Sequence, residues 1–328
     1  MAITGLEAAG TRGNCALLGF DTTLNQSCMA LFPKKDLLTS DFLFQWYRKV
    51  GEEYGLNYTQ GTKQQSYNAE LIKILPISLP LVTEQKKIAS YLSNLDHLIT
   101  LHQRKLEKLQ LVKKSMLEKM FPKNGSKIPE IRFEGFADDW EQRKLNDVAK
   151  FSKGNGYSKG DLIEAGTPII LYGRLYTKYE TTISDVDTFV VAKDGSVYSK
   201  GGEVIVPASG ETAEDIARAA TVDKPGILLG GDLNVVMPNE EINSAFLAIS
   251  ISNGSSQREL AKKAQGKSVV HIHNEEIRNL VVPFPTKAEQ NKIVDYFANL
   301  DSLITLHQRK LEKMKSFKKS LLEKLFVQ

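Results

Sequence analysis

Two long stretches of the chain carry apolar residues at alternating steps of three and four positions, which is the spacing of a coiled-coil helix. The first stretch has Ile88, Leu92, Leu95, Ile99, Leu106, Leu109, Met116 and Met120 at these positions. The second has Ile293, Phe297, Leu300, Ile304, Leu311, Met314, Leu321 and Leu325. The pattern predicts two long helices, the first of roughly 38 residues and about 55 Å. We assign the coiled-coil seam to Ile88, Leu95, Ile99, Leu106, Ile293, Leu300, Ile304 and Leu311.

These two stretches are copies of one another, 205 residues apart. Eleven consecutive residues are identical, Leu98–Lys108 in the first copy and Leu303–Lys313 in the second. The register continues outward, with Pro80 matching Pro285. Because both copies lie in one chain, the simplest arrangement pairs them with each other in antiparallel orientation. Pairing between two chains, and therefore a homodimer, is the alternative.

Between the two helical stretches, short apolar and β-branched runs alternate with turn signals, which is typical of strands. Such runs occur at 167–172, 202–206 and 226–229. The chain is therefore predicted to be α+β, with mixed strands and short helices plus two long helices that form an antiparallel coiled coil.

Charge is concentrated on the predicted helices, although the whole chain carries only +4. Residues 83–121 hold eight Lys or Arg against four Asp or Glu, and residues 286–328 hold nine against five. The two cysteines, Cys15 and Cys28, indicate neither a disulfide framework nor a zinc cluster. Since no apolar run approaches the length needed to cross a bilayer, we expect a cytoplasmic protein without membrane contact.

Residues 128–145, which follow the first helix, resemble the beginning of a target-recognition domain in the specificity subunits of type I restriction-modification systems. The Glu-Gln-Lys-Lys-Ile element at 84–88 and the Leu-Asp-x-Leu-Ile-Thr-Leu-His-Gln-Arg-Lys element at 95–105 are similar to the spacer regions of that family. The resemblance implies a non-catalytic subunit that reads part of a split double-stranded DNA target. It also implies docking of methyltransferase subunits and of restriction and translocase subunits.

The same resemblance divides the chain into four parts. Residues 1–80 would be the C-terminal part of a first recognition domain, and 81–125 the first spacer helix. Residues 126–285 would be a complete second recognition domain, and 286–328 the second spacer helix. We expect an N-terminally incomplete member, whose first domain exposes apolar surface.

No cofactor is expected in this chain, because S-adenosylmethionine, Mg²⁺ and ATP would be bound by the partner subunits. The chain is accordingly expected to have no enzymatic activity of its own. Two alternatives to DNA reading remain: a non-catalytic coiled-coil scaffold that binds proteins, or an inactive recombination cassette.

Three loops combine glycine, hydroxyl or aromatic groups and positive charge, which suits contact with phosphates and base edges. They lie at 153–160, 172–178 and 265–268, and the third matches 60–63 in the first copy. A solvated turn, core tyrosines with a structural arginine, and a repeated β-turn are the respective alternatives. The candidate DNA-binding residues are Lys153, Tyr157, Lys159, Tyr172, Arg174, Tyr176, Lys178, Lys267 and Ser268.

Other chemistry is weakly supported. The segment 209–212 is a weaker DNA candidate, and we favour a helix cap before a helix over 213–220. His271 and His273 would share one strand face, where a metal pair is conceivable but a polar strand face is the better interpretation. Gly266-Lys267-Ser268 fails as a phosphate-binding loop because position 261 is Ala. No catalytic or metal-binding residue is assigned.

Overall fold

A computed structural model describes residues 4–5, 14–25, 28–34, 36–58, 65–66, 69–123, 126–266 and 269–326. The chain divides into two compact units. Unit 1 comprises Met1–Lys108 with Ile304–Gln328, and unit 2 comprises Leu109–Leu303. Each unit therefore contains part of both long helices.

The helices in chain order are α1 (Ser40–Tyr58), α2 (Ala69–Lys73), α3 (Val82–Lys119), α4 (Leu145–Val148), α5 (Arg174–Thr177), α6 (Ala213–Ile216), α7 (Ser244–Ile251), α8 (Gly254–Lys263), α9 (Asn274–Arg278) and α10 (Lys287–Leu325). A 3₁₀ turn covers Lys159–Asp161. The two predicted long helices are α3, with 38 residues, and α10, with 39.

The strands are β1 (Thr4–Gly5), β2 (Gln65–Ser66), β3 (Glu141–Lys144), β4 (Ala149–Lys153), β5 (Thr167–Ile170), β6 (Thr182–Ile183), β7 (Phe189–Val190), β8 (Tyr198–Lys200), β9 (Glu203–Pro207), β10 (Ser209–Gly210), β11 (Ala220–Val222), β12 (Pro225–Leu229), β13 (Leu233–Pro238), β14 (Val270–His271) and β15 (Val281–Phe284). Unit 2 contains a five-stranded sheet in the order β4-β13-β9-β11-β6 and a four-stranded sheet in the order β7-β5-β12-β8. The pairs β10-β14 and β15-β3 form two smaller sheets.

The main core of unit 2 lies between its two larger sheets. Strands β6, β9, β11 and β13 contribute apolar side chains from one sheet, and β5 and β12 contribute from the other. On this side the buried residues include Ile170, Ile205, Val222, Leu229 and Val235. Helix α7 packs against β9 and β11, so that β9 and β11 are buried along their whole length. Burial on both faces explains why these strands read as continuous apolar runs.

The long helices pair in antiparallel orientation, as predicted. In unit 1 the Asp96 carboxylate lies 2.5 Å from the Lys318 ammonium. The Nδ1 atoms of His102 and His307 lie 2.8 Å apart. Residues later in α3 therefore meet residues earlier in α10. The eight predicted seam residues are all buried or half-buried, whereas the off-seam residues Leu98, Leu101, Leu303 and Leu306 are exposed.

A buried glutamine ties the beginning of each long helix to the preceding segment. In unit 1, Gln85 donates to the carbonyls of Leu37 and Pro80 and accepts from the amide of Thr39. In unit 2 the equivalent Gln290 donates to the carbonyls of Glu241 and Pro285 and accepts from the amide of Asn243. The duplicated sequence therefore folds into duplicated contacts, down to single hydrogen bonds.

Exposed apolar side chains are concentrated in residues 14–37 of unit 1. Leu17, Leu18, Phe20, Leu24 and Phe32 are all exposed, Phe32 by 90%. Helix α1 has a covered side, because Phe42, Trp46 and Tyr47 form a core with Leu92 and Phe326. Among the described residues, the segment before α1 therefore presents apolar side chains on its surface.

The paired histidines of unit 1 predict a pH-dependent stability. Burial and the nearby charges of His102, Lys105 and Lys310 lower the pKa of His307 below its ordinary value. Because the folded state then binds fewer protons than the unfolded state, the free energy of unfolding should decrease as pH falls below about 6.5. We expect His102→Leu/His307→Leu to raise the stability of unit 1 by about 1–2 kcal/mol at pH 7 through apolar burial.

Urea unfolding between pH 7.5 and 5.5 tests this expectation. The double leucine variant should lose most of the acid-dependent decrease that the parent chain shows. An exposed histidine on α3, His97, supplies the control through His97→Leu. Equal pH dependence in parent and double variant would contradict the assignment.

Candidate nucleic-acid interface

The 172–178 segment divides into an internal and an exposed part. Arg174 begins α5 and is buried, and its guanidinium donates to Asp187 at 2.7 Å, to Glu180 at 2.8 Å and to the Asp185 carbonyl. Lys178 also pairs with Asp187, and the hydrogen bonds from Lys178 and Arg174 lower the pKa of that carboxyl to about 2. Arg174 thus makes the structural contacts that were the alternative to guanine recognition.

The tyrosines of the same segment lie beside the β10-β14 pair. Tyr172 is partly exposed and packs edge-on against Tyr176, with ring centroids 6.2 Å apart. The Tyr176 hydroxyl donates to the Ser209 carbonyl at 2.8 Å, and burial raises the pKa of that phenol. Ser209 pairs with His271 across the two strands, and its hydroxyl lies 3.1 Å from His271 Nδ1. Tyr172, Tyr176, Ser209 and His271 are therefore one connected cluster.

The cluster extends through the histidine strand. His271 and His273 are both exposed on either side of buried Ile272, and their rings stack with centroids 6.4 Å apart. Gln265 bridges to His271 through reciprocal backbone hydrogen bonds of 3.1 and 2.7 Å. We name this set the recognition patch: Tyr172, Tyr176, Ser209, Gln265, His271 and His273.

Lys153 lies next to the recognition patch, because three contacts connect the end of β4 to the histidine strand. Lys153 pairs with Asn234 in the sheet, and the Asn234 amide donates to the Ile272 carbonyl at 2.9 Å. Asn274 also donates to the carbonyl of Ser152 at 2.8 Å. The Lys153 side chain is exposed and has no ion pair among the described residues. An unpaired lysine beside exposed polar groups suits contact with a DNA phosphate.

The glycines of the 153–160 loop serve the packing of unit 2. A Cβ at Gly154 would lie 2.0 Å from the Gly230 carbonyl oxygen, so only glycine fits there. Tyr157 adopts a positive φ of 56°, and its hydroxyl accepts from the Lys193 amide at 2.7 Å and bonds the Ser196 hydroxyl. Lys159 is exposed. At Gly154 the closely approaching group is therefore the protein's own backbone, whereas Gly156 has no atom within 4 Å of an added Cβ.

A lysine outside the predicted set covers the Tyr157 ring. Lys193 places its ammonium 4.8 Å from the ring centroid and pairs with Asp161 at 2.5 Å. Hydrogen bonds from Lys193 and Ser158 lower the pKa of Asp161 to about 2. Tyr157 and Lys193 thus stabilise the loop, while Lys153 and Lys159 are exposed and, unlike Lys178, have no ion pair among the described residues.

The third predicted loop is only partly described. Gln265 belongs to the recognition patch, and Gly266 has a φ of 133° with the Val269 carbonyl against its Cα. Lys267 and Ser268 lie outside the described residues, as does the matching 60–63 segment of the first copy. The structure therefore places the beginning of this loop at the patch.

The preferred interpretation of 209–212 as a helix cap is confirmed in a shorter form. The Thr212 hydroxyl accepts from the Asp215 amide and caps α6. The helix ends at Ile216 and does not extend to Ala220, because Ala220 begins β11 in the five-stranded sheet. Sheet pairing thus overrides the helix propensity of the alanines, and Ser209 turns toward His271.

Sequence reasoning favoured a polar strand face over a metal site for the histidine pair and did not include it among the DNA candidates. The signal was the alternation His-Ile-His, which puts both imidazoles on one strand face. Across the described ranges, no group of three or more His, Cys, Asp or Glu side chains is arranged to hold a metal ion. Among those same residues, no helix is long and apolar enough to cross a membrane.

Two long antiparallel helices with duplicated contacts and a sheet-rich segment between them define an α+β protein with an internal duplication. The sequence model of the type I restriction modification DNA specificity domain matches residues 2–111 and 137–316. The chain belongs to this family.

Similar proteins support the same assignment. The chain is 24% identical over 335 residues to the type I restriction enzyme MjaVIII specificity subunit of Methanocaldococcus jannaschii, covering 97% of this chain and 76% of that protein. It is also 24% identical over 328 residues to the putative MjaX specificity subunit of the same organism, covering 91% and 70%.

Solved structures show the fold. The S subunit of a type I restriction-modification system from M. genitalium has a TM-score of 0.62 at 16% identity, covering 90% of this chain and 74% of that one. The HsdS subunit from Thermoanaerobacter tengcongensis has a TM-score of 0.50 at 16% identity, covering 89% and 71%. The α+β fold with two long helices, predicted from the sequence, is therefore confirmed.

Proposed function

We propose that this chain is the DNA-reading specificity subunit of a type I restriction-modification complex and reads part of a bipartite target. The observation that carries the proposal is the family match over both copies of the repeat, together with the recognition patch in unit 2. The paired helices then set the spacing between recognition elements and offer surfaces to the methyltransferase subunits. Restriction and translocase subunits complete the assembly, which also supplies S-adenosylmethionine, Mg²⁺ and ATP.

Base reading is assigned to the exposed polar groups of the recognition patch. Imidazole, amide and hydroxyl groups can both donate and accept hydrogen bonds, as discrimination of base edges in the major groove requires. Gln265 and His271 supply an amide and an imidazole on neighbouring backbone positions. Lys153, beside the patch, and Lys159, in the loop that follows β4, are assigned to phosphates because both are exposed cations without an ion pair among the described residues. The chain itself carries out no methyl transfer or cleavage in this proposal.

The first test needs the target sequence. Methylome sequencing of cells that express the chain with its methyltransferase subunit should show one new methylated motif, absent when either protein is omitted. The purified complex should then bind duplexes that contain this motif more tightly than scrambled ones. A chain that only scaffolds proteins, or an inactive cassette, would give neither a new motif nor selective binding.

His271→Ala should lower the discrimination between the motif and a scrambled duplex by about 1–3 kcal/mol, or roughly 5- to 150-fold. Fluorescence anisotropy of the complex on both duplexes measures this ratio. His97→Ala, which removes an exposed histidine from α3, is the matched control and should leave the ratio unchanged. An unchanged ratio in a folded His271→Ala complex would exclude His271 from base reading.

A further inference from the structure

A second charged surface of unit 2 is formed by residues outside the recognition patch. A cleft of about 430 Å³ opens between the segment after α3, helix α8 and the β3-β15 pair. A neighbouring cleft shares Lys123 and Arg258 with it and continues along the end of α3. The two clefts are lined by six cationic side chains and by only two carboxylates, those of Glu118 and Glu259. The cations are Lys114, Lys119, Lys123, Lys127, Arg258 and Lys262.

Four of these cations, all but Lys123 and Lys127, have no carboxylate partner among the described residues. Arg258 and Lys262 are exposed, and they lie four residues apart on α8, which places them on one face of the helix. Glu259, the carboxylate of the first cleft, pairs instead with Lys263. Lys127 has only a long contact of 3.7 Å to Asp139, on the surface. Exposed ion pairs of this kind contribute little to stability, so an incoming anion can replace the Asp139 carboxylate at low cost.

Helix α8 connects this basic cleft to the recognition patch. It ends at Lys263, and Gln265 of the patch follows two residues later. At 1.5 Å per helical residue and about 3.5 Å for each of the two extended residues after α8, Lys262 lies within about 9 Å and Arg258 within about 15 Å of Gln265 along the chain. Two polar surfaces this close along the chain suit a ligand with a regular row of charges, such as DNA with about one phosphate charge per 1.7 Å of axis.

We propose that the cleft formed by the α3 end and α8 binds the phosphate backbone of DNA, next to the bases that the recognition patch reads. The inference rests on the proposed function and adds a sequence-independent contact to it. Arg258 can fork onto one phosphate, and Lys262 acts on the next as a point charge. Such contacts set affinity and register without choosing bases.

The test compares Arg258→Gln/Lys262→Gln with Lys200→Gln/Lys224→Gln, which removes the same charge from two exposed lysines of unit 2 that belong neither to the cleft nor to the recognition patch. Each variant is assembled with the methyltransferase subunit and titrated with motif and scrambled duplexes from 50 to 300 mM salt. For the cleft variant, the slope of log affinity against log salt should become shallower by about 1–2. Affinity for both duplexes should fall by a similar factor, leaving their ratio within about twofold.

Other outcomes separate the two proposals. If the cleft variant keeps the parent salt slope and affinity while His271→Ala still loses selectivity, the cleft assignment is wrong and the proposed function stands. If the parent complex does not discriminate its motif, the proposed function itself fails. Loss of assembly with the methyltransferase subunit, without a change in salt slope, would make the cleft a protein-docking surface and overturn the DNA proposal. Lys127→Gln, on the opposite wall, should also reduce the slope.

Discussion

Replacing Arg132 with methionine should lower the free energy of unfolding of unit 2 by about 3–5 kcal/mol. Arg132 makes two parallel hydrogen bonds to Glu289, at 2.7 and 2.8 Å, and Glu289 is only 1% exposed. The hydrogen bonds that Arg132 donates to Glu289 raise the pKa of Arg132, so the guanidinium remains charged. Without Arg132, the carboxylate at the beginning of α10 would be buried and unpaired. Chemical unfolding, followed by hydrogen exchange in the β3-β15 region, measures the loss.

A second substitution distinguishes the buried charge from the loss of packing. Arg132→Met/Glu289→Gln removes the unpaired carboxylate and should recover a large part of the stability lost in Arg132→Met, about 2 kcal/mol or more. Lys127→Met removes an exposed cation from the same segment and should cost less than about 0.5 kcal/mol. If the double variant were no more stable than Arg132→Met, the ion pair would not be the cause of the destabilisation.

Replacing Asp96 with alanine should destabilise unit 1 by about 3–5 kcal/mol, because it leaves a lysine buried without a partner. The side chain of Lys318 is 7% exposed and lies 2.5 Å from Asp96. Burial lowers the pKa of Lys318, and the Asp96 carboxylate opposes that decrease. For Asp96, hydrogen bonds from Lys318 and Gln45 and the charge of Arg48 outweigh burial and lower its pKa.

The duplication supplies a control inside the same molecule. In unit 2 the equivalent pair joins Lys113 to Asp301, also at 2.5 Å, but the lysine is 24% exposed. Solvent can partly replace Asp301, so Asp301→Ala should cost about 1–2 kcal/mol. Thermal unfolding with hydrogen exchange in each unit separates the two effects. Equal losses in both units would show that burial of the lysine is not what makes Asp96 important.

The same ion pair occurs in both units and fixes the register in which α3 and α10 pair. Asp96 and Asp301, like Lys113 and Lys318, occupy equivalent positions of the duplicated sequence. In antiparallel helices each aspartate meets the lysine of the other copy, and His102 meets its own counterpart His307. A shift by one turn would bury these charges without partners. Polar seam positions therefore specify the pairing at some cost in stability.

The sequence predicted exposure correctly for residues whose surroundings are local. It could not show which residues pair with distant partners. Lys153 at the end of β4 and Lys159 at the start of the 3₁₀ turn are exposed, as their polar sequence context indicates. Arg174 is followed by carboxylates at 180 and 187, and only the folded chain shows that it binds them internally. The recognition patch combines residues from 172 to 273, and strand pairing brings them together. Because the patch residues are far apart in the sequence, a motif search does not detect the cluster.

By itself, the sequence determined the duplication, the two long helices, their seam and the strand-rich class of the segment between them. These features follow from periodicity and identity, which express local backbone geometry and the burial of one helix face. The tertiary structure decided which polar groups are exposed together, which arginine is internal, and where the basic cleft lies. Those properties depend on long-range contacts and on access to water, since a charge becomes a binding group only when no buried partner has already paired with it.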